Sequence, residues 1–372
     1  MNATHPPRVL LLCERLDIAG GVERFVCHLA QHLAHQGMDV AVGSVATPRG
    51  NLRFALSPKV RVLHGEQDLP EGDGPIPLLR RQWRTGRTLA RLIHAERPDV
   101  VVLNGLTTAC SVLLLAPSVA PWCICCDHNH FEARSRLWRR LRARLYRRVA
   151  AVVSLTQADA ARFRAINPRT EVIYNASSLG AEAPALPVAP LVLAVGRFVA
   201  QKGLDLLLQA WVDVQAQMPM ARLRINGDRP SRSFLQREAI ERGIAGSVQW
   251  LPPTPQVQGH YRAAAVFVLP SRYEGMPLAL LEAQALGVPA VAFDCPTGPA
   301  EIIGEDTGIL VPPGDVQGLG LALLRLLADA PMRSRMGHAA MARSAALFSP
   351  QQHLQRWTDL VQRVALQRGF PA

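Results

Sequence analysis

Short apolar runs and helical segments alternate along the whole chain, and the alternation starts twice. "RVLLLCE" (8–14) reads as a buried strand, followed by the turn "RLDIAGG" and a helix from about Val22 to His35 that Gly37 closes. "DVAVGSV" (39–45) is then a second strand. Strand, helix and strand in that order require a crossover, so the two strands pair in parallel. Further strands are expected at 99–103, 122–126 and 150–154. "GAEAPALPVAP" (180–190) has no periodicity and marks a linker. Beyond it the pattern begins again with "LVLAVG" (191–196), a helix from about Leu204 to Gln217, and strands at 222–226, 247–251, 265–269 and 288–293. Two such halves predict an α/β chain of two domains joined by a linker. A ligand is expected in the cleft between them, at the carboxyl ends of the strands.

With 372 residues, 49% hydrophobic and 19% charged, the chain is long enough for two packed domains and too apolar for disorder. The N-terminal apolar run "VLLLC" (9–13), with Glu14 and Asp17 close behind, is too short for a secretory signal. The apolar region 100–126 is broken by Asn104, Pro117 and Pro121, so it reads as strand, helix and strand rather than a membrane span. A cytoplasmic chain is the expectation. Among its 7 cysteines, Cys123, Cys125 and Cys126 lie near two histidines in "PWCICCDHNH". Along a strand they would point to opposite faces and no second pair follows, so a buried strand is favoured over zinc and no metal is expected.

"SRYEGMPLALLEAQALGVPA" (271–290) separates two acids by seven residues. Pro277 suits the first helical position, and Leu278, Leu281 and Ala285 repeat at the spacing of a buried helix face. Gly287 and Pro289 end the helix. Glu274 thus sits in the loop before a helix and Glu282 about one turn inside it. A dipole cap and a solvated charge fit the same pattern. Arg197 and Lys202, in "GRFVAQKG", lie between a strand and a helix start, where fixed cations suit a diphosphate. Gly20 and Gly21 would let backbone approach a phosphate, although a tight turn explains them as well. The chain contains no G-x-x-x-x-G-K-[ST], no G-x-G-x-x-G and no Asp-x-Asp, which disfavours an NTPase, a dinucleotide enzyme and metal-held sugar nucleotides.

The net charge of +12 is concentrated in "RSRLWRRLRARLYRRVA" (134–150), with eight arginines at 134, 136, 139, 140, 142, 144, 147 and 148. Leu137, Trp138, Leu141, Leu145 and Val149 form an apolar stripe between them. A basic amphipathic helix of this kind fits an anionic membrane surface, through Arg139, Arg140, Arg147, Arg148 and Trp138. A solvated basic face is the plain alternative. Nucleic acid is the third, and no recognition motif or aromatic platform accompanies the arginines.

Taken together, the Glu-x₇-Glu pair, "GRFVAQKGLDLLLQAW", "VIYNA" and "GILVPPGD" resemble the GT-B-fold retaining glycosyltransferases of family 4, from residue 20 to about 350. The resemblance implies two Rossmann-like domains facing each other across a cleft, divided as 1–183 and 184–350. A C-terminal helix at 351–372 would pack back on the first domain. It further implies that Glu282 holds the ribose hydroxyls of a nucleotide sugar and that Glu274 meets the donor sugar. The backbone of Gly275, Met276 and Leu278 would face sugar or phosphate, Arg197 and Lys202 the diphosphate, and His128 the donor sugar and acceptor. No cofactor or metal is implied. One departure is "INGDRP", where a single glycine stands between Asn226 and Asp228 in place of the usual G-x-G turn. "FDCPTGPAEII" (293–303) resembles a subgroup using UDP-sugars on lipid-linked oligosaccharides. The implied enzyme works on a lipid-linked or glycan acceptor in bacterial surface-polysaccharide synthesis, peripheral on the cytoplasmic face of the inner membrane. A soluble GT-B enzyme with a sugar-phosphate acceptor and a non-catalytic nucleotide-sugar or nucleic-acid-binding protein are the rivals.

Overall fold

The computed structural model describes residues 5–368 except 19, 49, 66–74, 181–182, 185–186, 188, 228–231 and 255, and only the backbone of 75–79. The chain forms two compact units, one of Met1–Ile173 with Gln351–Ala372 and one of Tyr174–Pro350. The unit boundary thus precedes the Ala/Pro segment by a few residues.

The first unit holds a parallel sheet of seven strands: β1 Arg8–Cys13, β2 Asp39–Ser44, β3 Val60–His64, β4 Val100–Asn104, β5 Cys123–Cys126, β6 Ala151–Ser154 and β7 Thr170–Val172. Their order is β3-β2-β1-β4-β5-β6-β7. The second unit holds six, β8 Leu191–Val195, β9 Arg222–Asn226, β10 Val248–Leu251, β11 Val266–Leu269, β12 Ala290–Phe293 and β13 Gly308–Val311, ordered β10-β9-β8-β11-β12-β13. Every pairing is parallel. Helices cover both faces of such sheets, so inner strands are apolar without alternation. "VVVLN" of β4 and "CICC" of β5 are buried at every residue. In each unit the order reverses once, between β1 and β4 and between β8 and β11. A doubly wound sheet opens a crevice there, beyond the carboxyl ends of its strands.

Helix limits follow local chemistry. The helix Gly21–His35 ends before Gly37, whose φ of 85° suits glycine. The helix Leu204–Gln217 spans the expected residues. Pro277 is the N-cap (φ −70°, ψ 113°) and not the first helical residue, since the helix runs Leu278–Ala285. The arginine helix is also shorter than 134–150: it spans Arg136–Leu145, and Tyr146–Arg148 tighten into a 3₁₀ turn. The last helix, Pro350–Arg368, returns to the first unit. There Trp357 is fully buried, with its ring 5.3 Å from that of Phe25, and Thr358 Oγ1 lies 3.1 Å from His32 Nε2. No helix among the described residues is long and apolar enough to cross a membrane.

Candidate active site

In the second unit the loops after β8, β11 and β12 meet at the point where strand order reverses. The β8 loop carries Arg197, passes through the 3₁₀ turn Ala200–Lys202, and enters the helix Leu204–Gln217 at Gly203. Gly203 has a φ of 61°, and a Cβ there would lie 1.9 Å from the Pro270 carbonyl oxygen. Only glycine fits both the left-handed backbone and that approach. Lys202 is thereby held against the β11 loop. Its Nζ donates to Glu274 Oε1 at 2.7 Å, and Ser271 Oγ donates to the same oxygen at 2.6 Å. The side chains of Glu274 and Lys202 are 6% and 17% exposed, so this is a shielded ion pair. Thr297 Oγ1, from the β12 loop, donates to the Glu274 carbonyl at 2.7 Å. Burial first, and then the charge of Glu274, pushes the nearby Cys295 thiol up to about 12.

The helix Leu278–Ala285 starts immediately beyond. The amides of Gly275, Met276 and Leu278 have no hydrogen-bond partner among the described residues, although Gly275 and Met276 are buried. Asn175 fixes this turn by donating its side-chain amide to the Met276 carbonyl at 3.2 Å. Buried amides without partners at a helix start make an anion-binding surface. Arg197 is exposed, and its guanidinium likewise has no partner among the described residues. Glu282 is 4% exposed, and Tyr261 donates its phenol proton to Glu282 Oε2 at 2.7 Å. Glu282 is therefore not the solvated charge that spacing alone allowed, and Glu274, allowed there as a dipole cap, is paired with Lys202 and Ser271. Asn226 is buried and donates to the Pro252 carbonyl at 3.3 Å, whereas Asp228 lies outside the described residues.

In the first unit His128 follows β5 in the left-handed region, with a φ of 55°. Its Nε2 is 2.8 Å from Asn104 Oδ1, while Asn104 Nδ2 donates to the Leu12 carbonyl at 3.1 Å. The asparagine amide is thereby oriented, so the histidine donates from Nε2 and its Nδ1 carries the lone pair. Burial, and then the charge of His353, pushes the His128 imidazole down to about 3. It is neutral at ordinary pH and suits hydrogen bonding more than proton abstraction. Gly20 caps the helix Gly21–His35, and Glu23 Oε2 lies 2.1 Å from where a Gly20 Cβ would stand. The room that glycine leaves is filled by a carboxylate. The backbone approach expected at Gly20 therefore meets the Glu23 side chain.

The eight arginines of 134–148 divide into different roles. Arg142 is 1% exposed: it donates to Asp127 Oδ2 at 2.9 Å and to the Phe131 carbonyl at 2.8 Å, and its guanidinium lies 3.6 Å from the Phe131 ring centre. Tyr146 donates to the other Asp127 oxygen at 2.5 Å. Arg140, Arg147 and Arg148 are exposed, and Arg139 is half-buried, 3.8 Å from Glu132. Trp138, expected at a membrane surface, instead packs with Leu141 and Leu145 against the core, and Leu137 is the exposed apolar residue at 61%. Cys123, Cys125 and Cys126 are buried in β5. No group of three or more His, Cys, Asp or Glu side chains among the described residues is placed to hold a metal ion.

Sequence reasoning missed Ser271, Thr297, Tyr261 and Asn104. Ser271 stood beside Glu274, the acid it supports, and only the fold shows what the other three touch.

The family model described as Glycosyltransferase Family 4 matches residues 19–179, and that described as Glycosyl transferases group 1 matches 185–343. The amylovoran biosynthesis glycosyltransferase AmsD of Erwinia amylovora is 29% identical over 95% of this chain and 99% of its own. An exopolysaccharide phosphotransferase of Streptomyces coelicolor, SCO2592, is 31% identical over 93% of this chain, which spans 40% of that longer protein. Among solved structures, a sucrose-phosphate synthase from Thermosynechococcus elongatus matches with a TM-score of 0.84 at 21% identity, over 97% of this chain and all of its own. Anabaena HepE in complex with UDP and glucose matches with a TM-score of 0.74 at 17% identity, over 96% and 100%. At those identities the structural likeness speaks for the fold alone, and the two sequence models supply the family. The chain belongs to the group 1, family 4 glycosyltransferases of the GT-B fold.

Proposed function

We propose that the chain moves a sugar, with retention at the anomeric carbon, from a nucleotide sugar to a lipid-linked or glycan acceptor in surface-polysaccharide synthesis. The observation that carries the reading is the Lys202–Glu274 ion pair beside unpartnered amides at the start of the helix Leu278–Ala285. In this reading the amides, Arg197 and Lys202 take the diphosphate, Glu274 the donor sugar and Glu282 the ribose diol. His128 accepts a hydrogen bond from a sugar hydroxyl at Nδ1, its Nε2 proton being held by Asn104. Fixed cations and amides stabilise the leaving diphosphate as its charge grows, so no resident metal or cofactor enters the proposal. Gly20 joins the donor site, beside Gly21, only if the Glu23 side chain moves aside. UDP is the proposed leaving nucleotide, supported by HepE and by TarM of S. aureus, both described in complex with UDP.

A thermal-shift screen of nucleoside diphosphates and UDP-sugars tests this. A ligand at 100 times its Kd adds about 2.7 kcal/mol to stability. UDP should therefore raise the melting temperature, and Glu282→Ala should weaken free UDP by about 1.5–3 kcal/mol, as expected for a hydrogen bond to a charged group. Calorimetry giving equal UDP affinities in the two proteins would reject the ribose assignment.

A peripheral place on an anionic membrane is the second part of the proposal, supported by exposed Arg140, Arg147, Arg148 and Leu137 on one short segment. Each arginine near such a surface is worth about 1 kcal/mol. Replacing Arg139, Arg140, Arg147 and Arg148 with Gln should release the protein from phosphatidylserine-containing vesicles and leave its melting temperature nearly unchanged. Binding should also fade as salt shortens the Debye length from about 10 Å at 0.1 M to about 3 Å at 1 M. Wild-type protein that ignores such vesicles at low salt has only a solvated basic face.

A further inference from the structure

We propose that Tyr261 is a positioning residue for the nucleotide: its phenol aims the Glu282 carboxylate at the ribose. This rests on the reading of Glu282 given above. Tyr261 lies on the helix Val257–Ala263, is fully buried, and sets its ring 5.7 Å from that of Phe267 on β11. Its hydroxyl is 2.7 Å from Glu282 Oε2 and 3.2 Å from the Ala279 carbonyl. A phenol has one proton, and the shorter contact to the ionised group takes it. The helix that precedes β11 thus reaches across to the helix Leu278–Ala285 and holds its buried acid at Oε2.

Glutamate has three side-chain torsions, and freezing them on binding costs affinity. A carboxylate already anchored by a rigid phenol meets the ribose hydroxyls with less ordering left to do. It also meets them at a fixed angle, which a vicinal diol requires and a single hydroxyl does not. The phenol therefore contributes to ribose discrimination without touching the nucleotide. A core tyrosine that only satisfies its own hydroxyl would contribute packing and nothing to discrimination.

The test is calorimetric titration of UDP and 2′-deoxy-UDP, or the matching pair for the base the thermal screen selects. Wild type, Glu282→Gln and Tyr261→Phe are compared, with melting temperatures read alongside. Wild type should prefer the ribonucleotide at least tenfold, and Glu282→Gln should remove most of that preference. Tyr261→Phe keeps the ring and should lower the preference three- to tenfold, mainly by weakening the ribonucleotide, with melting changed by a few degrees at most. If Glu282→Gln loses the preference while Tyr261→Phe keeps all of it, the positioning role is wrong and the ribose reading stands. A Glu282→Gln protein with wild-type preference, or a wild type with none, overturns the ribose reading and the inference with it.

Discussion

Replacing Lys202 with alanine is expected to lower turnover about 100- to 1,000-fold, the cost of removing one preorganised donor from a developing negative charge. Two properties of the site set that size. The lysine side chain is 17% exposed, so water screens its charge weakly, and Gly203 and the Pro270 carbonyl fix the loop that carries it. Lys202 also neutralises Glu274, so the substitution leaves a buried carboxylate with only Ser271 donating to that oxygen. These effects separate in the double variant Lys202→Ala/Glu274→Ala. Removing both partners should restore stability lost with the lysine alone and should not restore turnover. UDP release from the donor, followed in excess EDTA, gives the rate. Turnover of Lys202→Ala within threefold of wild type would remove the lysine from the diphosphate site. Loss of wild-type activity in EDTA with recovery on adding Mg²⁺ or Mn²⁺ would overturn the metal-free proposal. Arg197→Ala should cost less, at least about tenfold, because its exposed charge is screened.

Arg142→Ala should be the most destabilising change among the arginines of 134–148, by about 3–5 kcal/mol. It strands the Asp127 carboxylate, 4% exposed, without its counter-ion. The loss includes the guanidinium packed on Phe131. For a unit of this size about 1 kcal/mol corresponds to roughly 2–4 °C, so the transition of the first unit should fall by about 6–20 °C. Arg140→Ala, an exposed neighbour, should stay within about 0.5 kcal/mol. Calorimetric scans of the two proteins decide it, and similar melting temperatures would refute the buried-pair account. Asp127 precedes His128, so Arg142→Ala should also lower activity, whereas the exposed arginines should affect only vesicle binding.

The inner strands were legible because parallel strands buried on both faces need unbroken apolar runs. "RVLLLCE", "DVAVGSV" and "LVLAVG" could pack in few other ways. The edge strands β3, β7 and β13 went unread, since each is half covered and its residues alternate weakly or are too few to show a period. The helix Pro75–Glu96 was missed because its arginines mask the stripe. In the arginine segment, eight identical residue types at helical spacing carried one meaning in the sequence. Tertiary packing gave them several, because which side of a short helix faces the core is set by neighbours far along the chain.

The local sequence determined where the candidate site lies. Glu274, Glu282, Arg197 and Lys202 sit at strand ends and helix starts, and the order of turns, glycines and apolar runs places them there whatever surrounds them. Tertiary structure alone decided how those groups are paired and held. Glu274 pairs with Lys202 across 72 positions, and Tyr261 grips Glu282 across 21. Asn104 orients His128 across 24, and Glu23 fills the space above Gly20. A hydrogen bond depends on two groups meeting within about 3 Å at the right angle, and sheet topology, not spacing along the chain, brings them there.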